Sequence, residues 1–248
     1  MIPLKDYNPT RRFPFVTVVL ILVNLGVYFF VQRPLASDSG AEAEFTYRYA
    51  AVPCEIIERR PLTLVEIERE TCITDEADVP RNFTIFPEKS PLIAILSSMF
   101  LHGSVLHVAF NMLFLWVFGN NIEDRMGPVG YLIFYLAAGV VATMAHIAVD
   151  PTSTVPLVGA SGAIAGVMGA YLVLFPNVPI LSLVFVMVID VPAKFLLGFW
   201  FILQFFTSPG SGVAWVAHVG GFVFGVLVAF LLRNRLRPPR VALPPPLY

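Results

Sequence analysis

Long apolar runs alternate with short polar breaks along this chain, and one polar block interrupts them early. Phe13 to Val31 is nineteen residues without a charge. A helix needs about 20 apolar residues to cross a ~30 Å hydrocarbon core, so this run predicts a first transmembrane span. Its β-branched residues are poor helix formers in water, but in lipid the backbone must satisfy its own hydrogen bonds and helix results. Further runs predict spans over Pro91–Gly119, Pro128–Val149, Val155–Phe175, Pro192–Phe206 and Val213–Leu232. The breaks are Asn120–Gly127, Asp150–Thr154, Pro176–Pro179 and Thr207–Gly212. Ile180 to Ile189 is apolar too, but Asp190 and Lys194 follow it. A single span holding both charges would cost roughly 2.5–3.5 kcal/mol per charge. An interfacial or re-entrant stretch over 180–191 is the better expectation, with Pro192 in the first turn of the fifth span.

The polar block, residues 32–90, holds twelve of the seventeen acidic residues against seven basic ones. Pro53–Pro61 and the stretch from Val65 to Glu70 read as short amphipathic helices or turns. Elsewhere charge is scarce: 13% of the chain is charged and 57% hydrophobic, where a soluble domain carries about 25% charged residues. The expected class is an all-α polytopic membrane protein. Net charge is −1, which gives no basic field for nucleic acid. The first apolar run is too long for a signal-peptide core and lacks a small-residue cleavage site.

The expected organisation is a tail at 1–12, a first helix at 13–31, an outer insertion at 32–90, a core of spans two to six at 91–232, and a basic proline-rich tail at 233–248. Six spans put both termini on one side. The first twelve and last sixteen residues hold seven basic residues and one acidic one, Asp6. The positive-inside rule therefore places both ends in the cytoplasm. The expected membrane, which the rule does not itself give, is the plasma or inner membrane of a prokaryotic cell. The long acidic loop and the 150–156 and 207–212 loops then face outward.

Two residues stand out within the apolar runs. Ser161 lies in Gly159-Ala-Ser-Gly-Ala-Ile-Ala-Gly166, and His218 lies just past the 207–212 loop. The topology brings both to a similar depth near the outer face. A serine hydroxyl is a poor nucleophile until a base removes its proton, and a neutral histidine does this near pH 7. Gly159, Gly162 and Gly166 recur on one helical face, as do Ala217, Gly221 and Gly225. Small residues at these spacings let membrane helices approach closely. They are packing faces at least, and close approach of spans four and six would bring serine to histidine. No acidic third member is evident, so a dyad is expected rather than a triad. His107 and Asn111, at i and i+4, share a face of the second span. They read either as helix–helix glue or as N–H donors for an oxyanion. His102 is five residues before His107, roughly 140° around a helix, which suits no metal pair. His146 reads as interfacial. Neither metal nor cofactor is expected.

At this point a family resemblance is specific. Gly159-x-Ser161-Gly162-x-x-x-Gly166 resembles the serine motif of the rhomboid intramembrane proteases. Ala217-His218-x-x-Gly221-x-x-x-Gly225 resembles their histidine motif, and His102-x-x-x-x-His107-x-x-x-Asn111 and Asn121-x-Glu123-x-Arg125 resemble their second span and the connector after it. The resemblance implies a six-transmembrane-helix rhomboid-like bundle with a large outer loop between spans one and two. It implies Ser161 as nucleophile and His218 as general base. It further implies an oxyanion hole from His107, Asn111 and the Ser161 N–H, with Gly159 lining the site and His102 helping to hold water or the covering loop. The short fifth span resembles a lateral gate, with Phe110 and Trp200 as its facing pair, and the 207–212 loop resembles a cap. The implied partners are single-span membrane protein substrates and the lipid bilayer.

There are departures. Many members carry an aromatic one turn after the serine, stacked on the histidine; here that place is Ala165. The Trp-Arg pair of their first loop is absent from 32–90. Cys54 and Cys72 both fall in the outer loop and are expected to form a disulfide. A catalytically inactive rhomboid-like protein that binds membrane helices is the alternative, though such a binder needs none of Ser161, His218, His107 and Asn111. A solute transporter, suggested by the break near Asp190 and Pro192, ranks last because the spans show no two-half symmetry.

Overall fold

The apolar runs become helices whose ends are set by caps, glycines and prolines. A computed structural model of the chain describes residues 1–75, 77, 84–208 and 212–236. Most of the 233–248 tail and part of the 207–212 loop lie outside the described residues, as do a few positions of the 32–90 block. Strand β1 (Ile2–Asp6) comes first. Helix α1 (Phe15–Gly26) continues through a π-helical stretch, Val27–Gln32, into α2 (Arg33–Leu35), one apolar helix of 21 residues. The polar block supplies α3 (Ser39–Tyr49), α4 (Pro53–Glu58) and α5 (Leu64–Arg69). Then come α6 (Pro91–Ser97), α7 (Val105–Met126), α8 (Pro128–Val149), α9 (Ser161–Leu174), strands β2 (Pro179–Val184) and β3 (Met187–Pro192), α10 (Ala193–Gln204) and α11 (Trp215–Leu236). Among the described residues four helices are long and apolar enough to cross a membrane: Phe15–Leu35, α7, α8 and α11. The apolar α9 and α10 are shorter. The protein is a mostly helical integral membrane protein.

Several boundaries differ from the sequence reading, each for a local reason. The second long helix starts at Val105, not Pro91. Ser104 takes up its N-cap, accepting from His107 N–H at 3.1 Å, and the chain at Leu101–Ser104 is not helical. Pro91–Ser97 is a separate helix, with proline at its N-terminus after the Ser90 cap. Asn120 to Met126 is not a loop: it is the last turns of α7, and Gly127, at φ 73°, makes the whole turn into α8. The span expected from Val155 does not begin there: Ser161 is the first residue of α9, after a non-helical 155–160 segment.

Residues 180–191, expected as an interfacial or re-entrant stretch of unspecified structure, form a β-hairpin. Their β-branched composition suits strands, and the polar N-terminus supplies a third. The sheet is antiparallel in the order β1-β2-β3, with Asp6 opposite Ile180 and Leu181 opposite Asp190. Polar bonds fasten the N-terminal segment to the end of α7. Glu123 accepts from the N–H groups of Val16 and Thr17, both at 2.8 Å, and from the Thr17 hydroxyl at 2.7 Å. It thus satisfies the orphan donors of α1, whose own N-cap residue, Pro14, offers no side-chain bond. Asp124 accepts from the Arg11 backbone at 3.2 Å, and Tyr171 donates to Asp6 at 2.9 Å.

The core centres on α9. Its glycines meet α11 backbone to backbone: a β-carbon on Gly221 would overlap the Gly162 carbonyl, and one on Gly225 the Gly166 carbonyl. Since 162 pairs with 221 and 166 with 225, the two helices run parallel. The C-terminal end of α11 therefore lies at the same end of the bundle as the β-hairpin and the N-terminal strand paired with it. Gly159 is not on this helical face; it precedes α9 with φ 124°.

The polar block folds around the Cys54–Cys72 disulfide. Glu66 and Thr63 form a capping box on α5, and Arg60 grips both Glu66 oxygens at 2.7 and 2.8 Å. Lys89 and Glu55 form a second, buried ion pair. The block is tied to the segment before α9: Leu157 N–H donates to Ala51 O at 2.7 Å, and Cys54 N–H to Ser153 O at 3.0 Å. It therefore lies at the Ser161 end of the bundle.

Candidate active site

The 155–160 segment ends where α9 begins, so Ser161 stands at a helix N-terminus. Ile164 N–H makes the first bond of that helix, to Ala160 O at 3.0 Å. The N–H groups of Ser161, Gly162 and Ala163 are therefore left without helical acceptors and carry the positive end of the helix dipole. A developing negative charge next to Ser161 would meet these donors.

The close crossing of α9 and α11 sets the main contact. Nε2 of His218 lies 2.8 Å from Ser161 Oγ. The other ring nitrogen, Nδ1, lies 2.8 Å from Gln204 Oε1 on α10. The Trp200 ring sits 5.8 Å from the His218 ring and 6.0 Å from Phe222. These contacts fill the role left open by the small Ala165, since the imidazole is held from α10 instead of from α9.

A second group of donors faces the serine from α7. Gly103 N–H donates to His107 Nδ1 at 3.4 Å, which leaves the hydrogen of a neutral ring on Nε2. A β-carbon on Gly159 would stand 2.9 Å from His107 Nε2 and 3.6 Å from Ser161 Oγ. The bare glycine thus leaves a gap that both atoms border. Among the described residues Asn111 Nδ2, which is buried, has no hydrogen-bond partner, and its side chain lines the same cavity. A buried amide donor left unpaired costs stability, and such a group beside a nucleophile is a preformed donor for charge that arises during reaction.

The cavity is also lined by Phe110, His146, Trp200 and Met168. His146, which the sequence reads as interfacial, also stands on the cavity wall, and its buried Nδ1 has no hydrogen-bond partner among the described residues. Phe110 and Trp200 both border the cavity, Phe110 with 43% of its surface exposed. His102 lies behind His107, ring to ring at 5.1 Å, and is buried. The 140° separation expected for these two histidines does not apply, because the chain is non-helical at 102 and turns back onto α7. Gln32 holds that turn by two bonds to the His102 backbone, at 3.0 and 3.2 Å.

Sequence reasoning missed Gln204. Its signal was present: it is the lone polar side chain between Phe195 and Phe206, one turn after Trp200. Among the described residues the group with metal-ligand geometry is Cys54, Glu66 and Cys72, and its sulfurs are taken up in the disulfide.

Residues 89–235 match the Rhomboid domain family. The chain is 28% identical to "Rhomboid protein 1, mitochondrial" of Saccharomyces cerevisiae over 157 residues, 60% of this chain and 44% of the yeast protein. It is 31% identical to "Rhomboid protease GluP" of Bacillus subtilis over 145 residues, 56% of this chain and 25% of that one. It is also 31% identical to "Putative rhomboid protease YdcA" of the same bacterium over 139 residues, 55% of this chain and 65% of that one. In each case the chain spans less than two thirds of the relative's own length. The relatives include bacterial and mitochondrial proteins alike.

Proposed function

The chain belongs to the rhomboid family, and from that premise we propose that it is an intramembrane serine endopeptidase that hydrolyses peptide bonds in or near transmembrane segments of other membrane proteins. The observation that carries the reading is the 2.8 Å contact between Ser161 Oγ and His218 Nε2, made at a helix N-terminus inside an apolar bundle. A structural serine or histidine has no need of the other at that place.

Ser161 Oγ attacks the peptide carbonyl carbon while His218 Nε2 takes the hydroxyl proton. The carbonyl oxygen becomes an oxyanion in reach of His107 Nε2–H, Asn111 Nδ2–H and the Ser161 N–H. Return of the proton from His218 to the leaving amine breaks the C–N bond and leaves an acyl-serine. Water, deprotonated by the same histidine, then releases the acid. In this reading Gly159 keeps the gap open and His102 holds water behind His107.

The six crossings are α1, α7, α8, α9, α10 and α11, with the 32–90 block on the outer face and both termini in the cytoplasm. Phe110 on α7 and Trp200 on α10 flank the sideways entry from lipid. A substrate helix must unwind locally to reach the serine, so cleavage favours segments with Gly, Pro or small residues. The test is covalent labelling with a serine-reactive phosphonate followed by peptide mapping. The reading expects one modified residue, Ser161, and no modification of His218→Ala. A folded wild-type protein that stays unmodified would overturn it.

A further inference from the structure

We infer that Gln204 is a positioning residue that holds His218 in the tautomer able to act as a base. The inference rests on the reading of Ser161 and His218 as nucleophile and base, and gives the pair its third member.

The amide of Gln204 is oriented by a bond outside the pair. Its Nε2–H donates to the Trp200 carbonyl, one turn back along α10, at 3.0 Å. This assigns the atom facing His218 as Oε1, 2.8 Å from Nδ1. An amide oxygen only accepts, so Nδ1 carries the hydrogen. In a neutral imidazole the second nitrogen is then bare, and that is the nitrogen 2.8 Å from Ser161 Oγ. The serine hydroxyl donates and Nε2 accepts, which is the direction a base requires. With the hydrogen on Nε2 instead, the Gln204 oxygen would face a bare nitrogen, and that nitrogen would lie on the wrong side of the ring to take the serine proton.

The same bond acts during the reaction. When His218 takes the proton its ring becomes a cation, and a hydrogen bond from a cation to an amide oxygen is stronger than one from a neutral ring. The contact therefore gains strength as charge develops. A carboxylate in this place would do more, but it would also put a full negative charge in an apolar bundle at a cost of several kcal/mol. A neutral glutamine supplies the acceptor without that charge. The Trp200 ring beside the imidazole limits its tilt.

The test has two readouts. In protein with 15N-labelled histidine, the His218 nitrogen shifts report the tautomer directly, and loss of the signals in His218→Ala assigns them. Wild type should carry its proton on Nδ1, and Gln204→Leu should show a mixture. The rate of phosphonate reaction at Ser161 should fall about tenfold in Gln204→Leu, the loss of one neutral hydrogen bond. Gln204→Glu, which keeps an oxygen toward Nδ1, should react several-fold faster than Gln204→Leu. A wild-type proton on Nε2, or a folded Gln204→Leu with unchanged tautomer and rate, would overturn the inference. If the wild type fails to react at all, the protease reading fails, while the nitrogen shifts still decide what Gln204 does.

Discussion

The carbonyl oxygen of Gly162 occupies the place that a β-carbon on Gly221 would take. The helix that carries Ser161 and the helix that carries His218 therefore touch through their backbones, and that contact sets the spacing of the two side chains. Gly221→Ala must push the helices apart or bend one of them, and overpacking of this kind costs about 1–3 kcal/mol. The variant should unfold at lower temperature and its Ser161 should react more slowly with a phosphonate. Gly130→Ala, where the added carbon would meet only Met126 at 3.6 Å, should change neither.

Asn111 makes a different prediction, because its Nδ2 is unpaired in the resting protein. On the proposed reading, Asn111→Ala removes a donor that would serve the transition state and little else. Removing one oxyanion donor costs about 2.7–4 kcal/mol, or about 10²–10³ in kcat. The expected signature is a fall in kcat with KM and thermal midpoint held nearly constant. A change confined to stability would mark Asn111 as packing only.

The apolar runs foretold the long helices, because lipid leaves the backbone little choice, but not their ends: the polar stretch Asn120–Met126 is helical and the apolar stretch 155–160 is not. The serine, histidine and glycine positions were also legible, since polar groups and small residues are conspicuous in apolar helices. Other features depend on contacts distant in sequence. The strand at Ile2–Asp6 exists because β2 offers it an edge. Glu123 and Asp124 read as connector residues until the structure shows them bonded to Val16, Thr17 and Arg11 across more than a hundred residues. Gln204 went unnoticed because a glutamine in an apolar helix suggests helix glue as readily as an acceptor for a histidine.

Acid should loosen the polar block at 32–90 first. Burial alone would raise the Glu66 carboxyl, but Arg60 and the N–H groups of Thr63 and Ile73 overcome this and hold it at about 2, below its ordinary 4.5. A lowered folded value stabilises the fold above the unfolded value, and that stability is lost as pH falls toward the folded one. Of roughly 3 kcal/mol in the shift, about 2 should be gone by pH 3. Limited proteolysis within 32–90 between pH 6 and pH 3 measures this, and Glu66→Gln should weaken the block at pH 6 and flatten its pH dependence.

The disulfide should act on the same block. Cys54 and Cys72 are eighteen residues apart, and closing a loop of that size is worth about 3 kcal/mol. Cys54→Ser with Cys72→Ser should raise proteolysis within 32–90. In the wild type the two thiols should become alkylatable only after reduction.

The most direct test of the central claim is cleavage of a fluorogenic transmembrane substrate by purified protein in liposomes, comparing wild type with Ser161→Ala and His218→Ala. Cleavage by the wild type and silence of both variants is the predicted result. Equal cleavage by all three, or silence of a folded wild type across several substrates, would contradict it, the latter favouring a protein that binds membrane helices without cutting them.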